Sequence, residues 1–177
     1  MNQIDFSLIP FNLVTVPNIA IAGSISRDQK RLKIEYMLTG ELETVIIPPL
    51  KNLGNRFMDL WEHTCFEFFL GIKNTPEYWE FNLSPAGDWN IFHFSRYRYN
   101  IAEEVNFSSL PATIIREPDC LKLALEVELA KIINPNTNLD IGITAVIEEQ
   151  SQISYWALRH SETKADFHNR AGFTIAL

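Results

Sequence analysis

Between Trp61 and Arg98, bulky aromatic side chains alternate with glutamate, asparagine and histidine at a period of two. This is the period of a β-strand, in which successive side chains point to opposite faces of a sheet. The segment therefore predicts strands that carry acidic and amide groups beside aromatic rings. Such a surface suits the recognition of a small molecule better than redox chemistry or nucleotide binding.

Short runs of the same kind recur along the chain and are separated by turn-forming residues. The predicted strands are residues 19–26, 31–39, 44–47, 63–72, 78–84, 89–95, 112–116, 121–127, 140–147, 154–158 and 173–177. A single helical turn is predicted at residues 129–133, closed by Asn134 and Pro135. The spacing of the strands predicts an all-β sandwich or barrel.

The length of 177 residues is enough for one self-sufficient core, so a single domain over residues 1–177 is predicted. A net charge of −7 opposes binding to nucleic acids and anionic membranes, because such binding depends on lysine and arginine. Polar residues and prolines interrupt the first 25 residues, which are predicted to form an N-terminal strand region and not a secretory signal. No apolar run reaches the roughly 18 residues of a membrane helix.

Cys65 and Cys120 show no CxxC spacing. They are predicted to be reduced core residues of a cytoplasmic protein, although the sequence leaves a disulfide between them open. Residues 50–62 and 159–172 are the two long irregular stretches. Connections of this length are commonly functional, so they are predicted to form the rim of a site.

Glu67 and Glu80 are the first candidate site residues. If their strands form a hairpin across residues 71–77, the two carboxyls become cross-strand neighbours on one face. Close carboxyls raise the pKa of one of them, or attract a cation, an arginine or sugar hydroxyls. Two alternatives stay open, namely a solvated face with ordinary exposed charges and an acid pair for glycoside hydrolysis.

Arginine and tryptophan supply further candidates. Arg96 and Arg98 suit contacts to a carboxylate or phosphate, and the alternative is that one of them neutralises a nearby glutamate. Trp61 and Trp156 adjoin the irregular stretches and are predicted to be platforms for a ligand. Trp79 shares its parity with apolar residues and is predicted to lie in the core.

The four histidines show no metal-ligand spacing. His160 and His168 lie eight residues apart with Asp166 between them, a pattern that matches no metal signature. His63 and His93 are predicted to be packed or half-exposed strand residues. A structural role outweighs ligation for each histidine taken alone.

Several blocks of sequence resemble a known family. LWEHTCFEFFL, YWEFNLSPAGDW, FSRYR, AVIEEQSQISYWAL and ADFH are similar to the stand-alone bacterial DOMON-like domain proteins, which are related to family 9 carbohydrate-binding modules. The resemblance spans about residues 23–177 and implies a two-sheet antiparallel β-sandwich. It implies sugar or haem as ligand classes, with calcium as a structural ion in the sugar-binding modules and an axial Met and His in the haem-binding relatives. Met37 and Met58 are the methionines considered for that role.

The leading prediction is a non-catalytic domain that binds a carbohydrate or a similar small polar ligand. Its predicted ligand-binding residues are Trp61, Glu67, Glu80, Asn82, Arg96, Trp156 and His160. The alternatives are a haem-binding domain with His160, His168 or His63 as axial ligand, a hydrolase that uses Glu67 and Glu80, and a scaffold that self-associates through a sheet edge or apolar patch. The sequence contains no nucleophile elbow, phosphate loop or zinc signature.

Overall fold

The computed structural model describes residues 3–12, 18–150 and 152–177, and strands dominate this part of the chain. The strands are β1 (Gln3–Ser7), β2 (Ile9–Pro10), β3 (Ile19–Arg27), β4 (Arg31–Gly40), β5 (Cys65–Ile72), β6 (Tyr78–Leu83), β7 (Trp89–Phe94), β8 (Ala102–Glu103), β9 (Ala112–Glu117), β10 (Cys120–Glu128), β11 (Leu139–Glu148), β12 (Ile153–Ala157) and β13 (Ile175–Ala176). Short 3-10 helices lie at Leu42–Thr44, Leu60–Glu62, Leu129–Lys131 and Arg170–Gly172.

The strands form two antiparallel sheets. The smaller sheet has the order β1-β3-β4-β10-β9, and the larger has the order β2-β12-β11-β5-β6-β7-β8, with β13 paired to β11. The two-sheet antiparallel β-sandwich that the sequence predicts is confirmed. None of the helices in the described part of the chain has the length and apolar character needed to span a membrane.

The main core lies between the two sheets and follows the alternation of the strands. Phe66 and Phe68 of β5 point inward, and so do Trp79 and Phe81 of β6. The rings of Phe68 and Phe81 stack with centroids 4.3 Å apart. Burying one such ring contributes roughly 2–3 kcal/mol to stability, so this layer determines which faces of β5 and β6 point to the core. As predicted, Trp79 lies in the core.

Tyr36 links the smaller sheet to the larger one across this core. Its side chain is fully buried, and its hydroxyl donates a 2.7 Å hydrogen bond to the main-chain oxygen of Glu67. A buried hydroxyl needs such a partner, because an unsatisfied one costs about 1–3 kcal/mol. The contact therefore fixes the backbone of β5 at Glu67, whose side chain points to the outer face of the sheet.

The larger sheet is also covered on its outer face. A second apolar cluster there contains Phe69, Tyr78, Phe92, Phe94 and Phe173. This explains why β5, β6 and β7 are buried almost along their whole length, since each strand has a packed layer on both sides. The cover comes from the chain after β12.

Residues 159–172, which we call the closing segment, run over this outer face and are anchored beyond it. Phe173 packs so closely on β11 that a Cβ at Gly142 would lie 2.7 Å from its ring. Arg170 donates hydrogen bonds to the main-chain oxygens of Ile72 and Glu77, at 3.2 and 3.1 Å. These contacts fix the end of the closing segment against the sheet.

Two local predictions have different outcomes. The predicted strand at residues 44–47 is wrong, because the chain forms the 3-10 helix Leu42–Thr44 and then a single bridge between Val45 and Glu149. Pro48 and Pro49 follow and lack the N–H groups that a strand would need. The predicted helical turn at residues 129–133 is present as Leu129–Lys131.

The N-terminal prediction is tested in part. Strands β1 and β2 lie within the predicted N-terminal strand region, and residues 1, 2 and 13–17 of that region are outside the described residues. Cys65 and Cys120 are both buried free thiols, so the disulfide that the sequence leaves open does not form.

Candidate binding site

A cavity of about 770 Å³ lies on the outer face of the larger sheet. Its size is within the range of roughly 300–1,000 Å³ that is usual for small-molecule sites. Strands β5, β6 and β7 form the floor, and both irregular stretches border it. Residues Met58, Asp59 and Trp61 come from the first stretch, and Phe167 and His168 from the closing segment.

Aromatic rings make up much of the wall. Phe69, Phe92 and Phe94 rise from the floor strands. Trp61 stands edge-on to Phe92 with ring centroids 5.6 Å apart and remains 37% exposed. Tyr155, which is 40% exposed, also lines the cavity. Half-exposed rings of this kind offer an apolar surface to a ligand while their far edges contact water.

Glu67 and Glu80 form the acidic part of the floor, which the register of the β5–β6 hairpin determines. Glu67 lies opposite Asn82, and Glu80 lies opposite Phe69, so the two glutamates are diagonal neighbours on one face. They are 2% and 6% exposed. The alternative of a solvated face with ordinary exposed charges is therefore wrong for this pair.

The hydrogen bonds of the two carboxyls are incomplete. Thr144 donates from Oγ1 to Oε2 of Glu67 at 3.1 Å, and Asn82 donates from Nδ2 to Oε1 of Glu80 at 2.9 Å. Oε1 of Glu67 is buried and has no hydrogen-bond partner within residues 3–12, 18–150 and 152–177. A buried orphan oxygen is rare in folded proteins and marks this carboxyl as a functional candidate.

Burial changes the protonation of both acids. Burial raises the pKa of Glu67 well above its usual value, the neighbouring Glu80 raises it further, and the Thr144 hydrogen bond opposes the rise. Burial raises the pKa of Glu80 to about 7, against the Asn82 hydrogen bond and the charge of Arg98. The pair therefore keeps its protons at a pH where exposed glutamates have lost theirs.

His168 lies beside this pair and does not neutralise it. Its Nδ1 is 2.9 Å from Oη of Tyr78, and its Nε2 is 3.8 Å from Oε2 of Glu80. Burial lowers the pKa of His168 to about 4, the charge of Arg98 lowers it further, and Asp166 opposes this. The imidazole is consequently neutral at pH 7.

Arg98 is the arginine at the cavity, and Arg96 is not. Arg98 has a left-handed backbone, with φ of 48°, and its guanidinium contacts Oδ1 of Asp166 at 3.1 Å. Tyr97 donates to the other oxygen of Asp166 at 2.8 Å. Arg96 is exposed and stacks over the ring of Tyr99, 4.1 Å from its centroid, so the structure does not place it in the predicted site.

Three other predicted residues do not line the cavity. Trp156 points into the core, where its N–H donates to Oγ of Ser154 at 3.0 Å, so it does not form the predicted platform. His160 contacts the main-chain oxygen of Ile9 at 2.9 Å. Asn82 is fully buried on the same face of β6 as Glu80, to which its amide donates a hydrogen bond.

Sequence reasoning missed several lining residues. Phe92 and Phe94 lie on the same face of β7 as Asn90. Tyr155 precedes Trp156 in β12 and points to the opposite face, toward the cavity. The alternation in WNIFHF contained the signal for Phe92 and Phe94. Phe167 lies in the ADFH block, for which no strand period was available.

A haem ligand set does not fit these residues. Met58 and His168 both border the cavity, but the two ring nitrogens of His168 face Tyr78 and Glu80. His63 is exposed at 2.9 Å from Glu148, and Met37 belongs to β4 of the smaller sheet. In the described ranges, no three His, Cys, Asp or Glu side chains are grouped to hold a metal such as calcium.

Comparison with solved structures finds chains that are similar to this one. A candidate carbohydrate-binding protein from Bacteroides uniformis has a TM-score of 0.77 at 12% identity, over 96% of this chain and 84% of that chain. Family 9 carbohydrate-binding modules from Caldicellulosiruptor kristjanssonii have a TM-score of 0.49, at 9% identity in complex with cellotriose and 10% with glucose. They cover 82% of this chain, and 68% and 69% of theirs.

The likeness to the Bacteroides uniformis protein shows the fold alone, because the identity is only 12%. No family model matches the chain, and neither does any curated protein. The comparisons thus give no support to the more specific DOMON-like assignment.

Proposed function

We propose that the protein is a non-catalytic carbohydrate-binding domain whose ligand lies in the cavity on the outer face of the larger sheet. The observation that carries the proposal is the combination of half-exposed rings at the wall with buried carboxyls at the floor. A sugar presents both an apolar C–H face and hydroxyl groups, so it complements both parts. The fold shared with the Bacteroides uniformis protein supports this class of ligand.

The cavity residues divide into two roles in this proposal. Trp61 and Tyr155 are platforms against which the apolar face of the sugar packs. Glu67 and Glu80 are the hydrogen-bonding groups for its hydroxyls. Asn82 is a positioning residue, since its amide holds one oxygen of Glu80 and leaves the other for the ligand.

A hydrolytic role for the glutamate pair is less well supported. A glycosidase needs one carboxyl protonated and its partner ionised, which requires environments that separate their pKa values. Here burial is the largest influence on both glutamates and raises both pKa values. No basic residue is bonded to either carboxyl to hold it ionised in the described part of the chain.

Isothermal titration calorimetry against a panel of mono- and oligosaccharides tests the proposal. At least one sugar should bind saturably. Trp61→Ala should weaken its affinity by about tenfold, because loss of the ring contact costs roughly 1.4 kcal/mol. Tyr99→Ala is the matched control, because Tyr99 is 55% exposed and does not line the cavity. Failure of every sugar to bind at millimolar concentration would overturn the proposal.

A further inference from the structure

Within residues 3–12, 18–150 and 152–177, no lysine or arginine forms an ion pair with either buried carboxyl. Buried charged groups in proteins are normally paired, because an unpaired charge in a low-dielectric site is very costly. Glu67 is bonded through its side chain to Thr144, and Glu80 to Asn82, and both partners are neutral. Glu67 Oε1 is, in addition, the buried side-chain atom left without a partner in the described residues.

The basic groups nearby do not supply that charge. His168 lies 3.8 Å from Glu80, but its surroundings keep it neutral. The guanidinium of Arg98 is paired with Asp166, and its side chain is 52% exposed. Lys164 borders the cavity from an exposed position. Exposed charges are screened by water and salt, so these two balance a buried acid only weakly.

The rings around the acids suit a positive group as well as an apolar one. Phe69 lies directly across from Glu80 in the hairpin, and Phe94 and Trp61 line the same cavity. The face of an aromatic ring is negative and attracts a cation, by about 2 kcal/mol when the site is desolvated. Carboxyls surrounded by rings are therefore matched to a cation that also has apolar surface.

We propose that the ligand carries a positively charged nitrogen, an ammonium group that lies against Glu67 and Glu80. This rests on the proposed function, because within the carbohydrate class such a ligand is an amino sugar. Binding transfers the proton from the acid pair to solvent, and the ammonium group then balances the carboxylate. Neutral sugars of the same size bind more weakly, since they leave the pair protonated.

The other titratable groups around Glu67 and Glu80 do not oppose binding of an ammonium group. They are Tyr36 from β4, Cys65 from β5, Tyr78 from β6, His168 and Asp166 from the closing segment, Arg98 from the loop after β7, and Asp59 and Lys164 at the rim. Burial raises the pKa of Tyr36 and of Cys65, so both stay neutral. The pair is therefore the group that exchanges its proton for the ligand.

Calorimetry with two matched pairs of probes tests this inference, namely glucosamine against glucose and cyclohexylammonium against cyclohexanol. At pH 7 each amine should bind about tenfold more tightly than its alcohol, the usual value of a hydrogen bond to a charged group. The preference should shrink toward pH 5, where the pair holds its protons more firmly. Titration in buffers of different ionisation enthalpy should show a proton released on binding of the amine.

Variants of the floor glutamates test whether they cause the preference for the amine. Glu67→Gln and Glu80→Gln should each reduce the ratio of amine to alcohol affinity, after urea unfolding has shown that both variants fold. Glu62→Gln is the control, because Glu62 is exposed beside Trp61 without lining the cavity, and it should keep the ratio. A ratio that is unchanged in both floor variants would overturn the inference.

The outcomes separate the inference from the proposed function. Glucose bound as tightly as glucosamine overturns the ammonium site and leaves carbohydrate binding intact. Cyclohexylammonium bound in preference to cyclohexanol, with no sugar bound, supports the ammonium site and overturns the carbohydrate role. Binding of neither amine overturns the ammonium site.

Discussion

Tyr78 and His168 are joined by a 2.9 Å hydrogen bond between the phenol oxygen and Nδ1 of the imidazole. Tyr78 belongs to β6, one of the strands that form the cavity floor, and its ring stacks on Phe94 with centroids 4.7 Å apart. His168 belongs to the closing segment. The bond therefore ties the cover of the cavity to its floor, and Tyr78 also accepts a 3.1 Å bond from the main-chain N–H of Arg98.

Tyr78→Phe should destabilise the protein by about 1–3 kcal/mol, because it leaves the buried His168 nitrogen and the Arg98 N–H without a partner. Urea unfolding followed by tryptophan fluorescence measures the change. Tyr99→Phe removes the same hydroxyl from an exposed ring and should change the free energy of unfolding by less than about 0.5 kcal/mol. Equal effects of the two variants would contradict the anchoring role of Tyr78.

Truncation of Trp156 should mainly lower the stability of the protein, whereas truncation of Trp61 should mainly weaken ligand binding. Trp156 is 4% exposed in the core, so Trp156→Ala should cost about 3–5 kcal/mol of unfolding free energy. Trp61 is 37% exposed, so Trp61→Ala should cost less than about half as much while weakening ligand binding. Urea unfolding of both variants checks the order, and a larger loss for Trp61→Ala would contradict it.

The sequence predicts the two faces of β5 and β6 because a period of two is visible wherever polar and aromatic residues alternate. That alternation places Glu67, Glu80 and Asn82 on the side opposite Phe66 and Phe81. It does not show that a further layer covers the polar side. The cover comes from residues 159–172, which have no regular period and contact the sheet only through tertiary packing.

Two of the predicted site residues, Trp156 and Arg96, lie away from the cavity for local reasons. In β12, Tyr155 and Trp156 are adjacent bulky aromatics, so the sequence alone does not tell which of them faces the core. After β7, Arg98 and Asn100 have φ of 48° and 56°, a conformation that residues other than glycine adopt infrequently. This turn directs Arg98 to the cavity in place of Arg96.

Glu80 should make the protein less stable as the pH rises. Its pKa is about 7 in the folded state and near 4.5 when unfolded, so between these values the folded state binds more protons. The stabilisation is complete below pH 4.5 and is lost as the pH passes 7, a change on the order of 3 kcal/mol. Glu80→Gln should reduce this decline, and the raised pKa of Glu67 should keep part of it, as measured by urea unfolding at pH 4, 6 and 8. Parallel pH profiles of variant and wild type would contradict the burial argument.

His168 should act in the opposite direction. Its pKa is about 4 when folded and 6.5 when unfolded, so the unfolded state binds more protons in this window. The contribution of His168 to stability is present above pH 6.5 and is lost as the pH falls through 4. His168→Asn should therefore cost more at pH 7 than at pH 4, in the same urea series. An equal cost at both values would show that the imidazole is not held neutral by burial.

The most direct test of the account is to map the ligand by NMR. Backbone amide shifts of ¹⁵N-labelled protein are followed while the saccharide with the highest affinity is added. If the ligand lies in the cavity, the largest shifts fall on its floor and rim, at Trp61, Glu67, Glu80, Tyr155 and His168. Shifts concentrated on the smaller sheet, on strands such as β4 and β10, would contradict it.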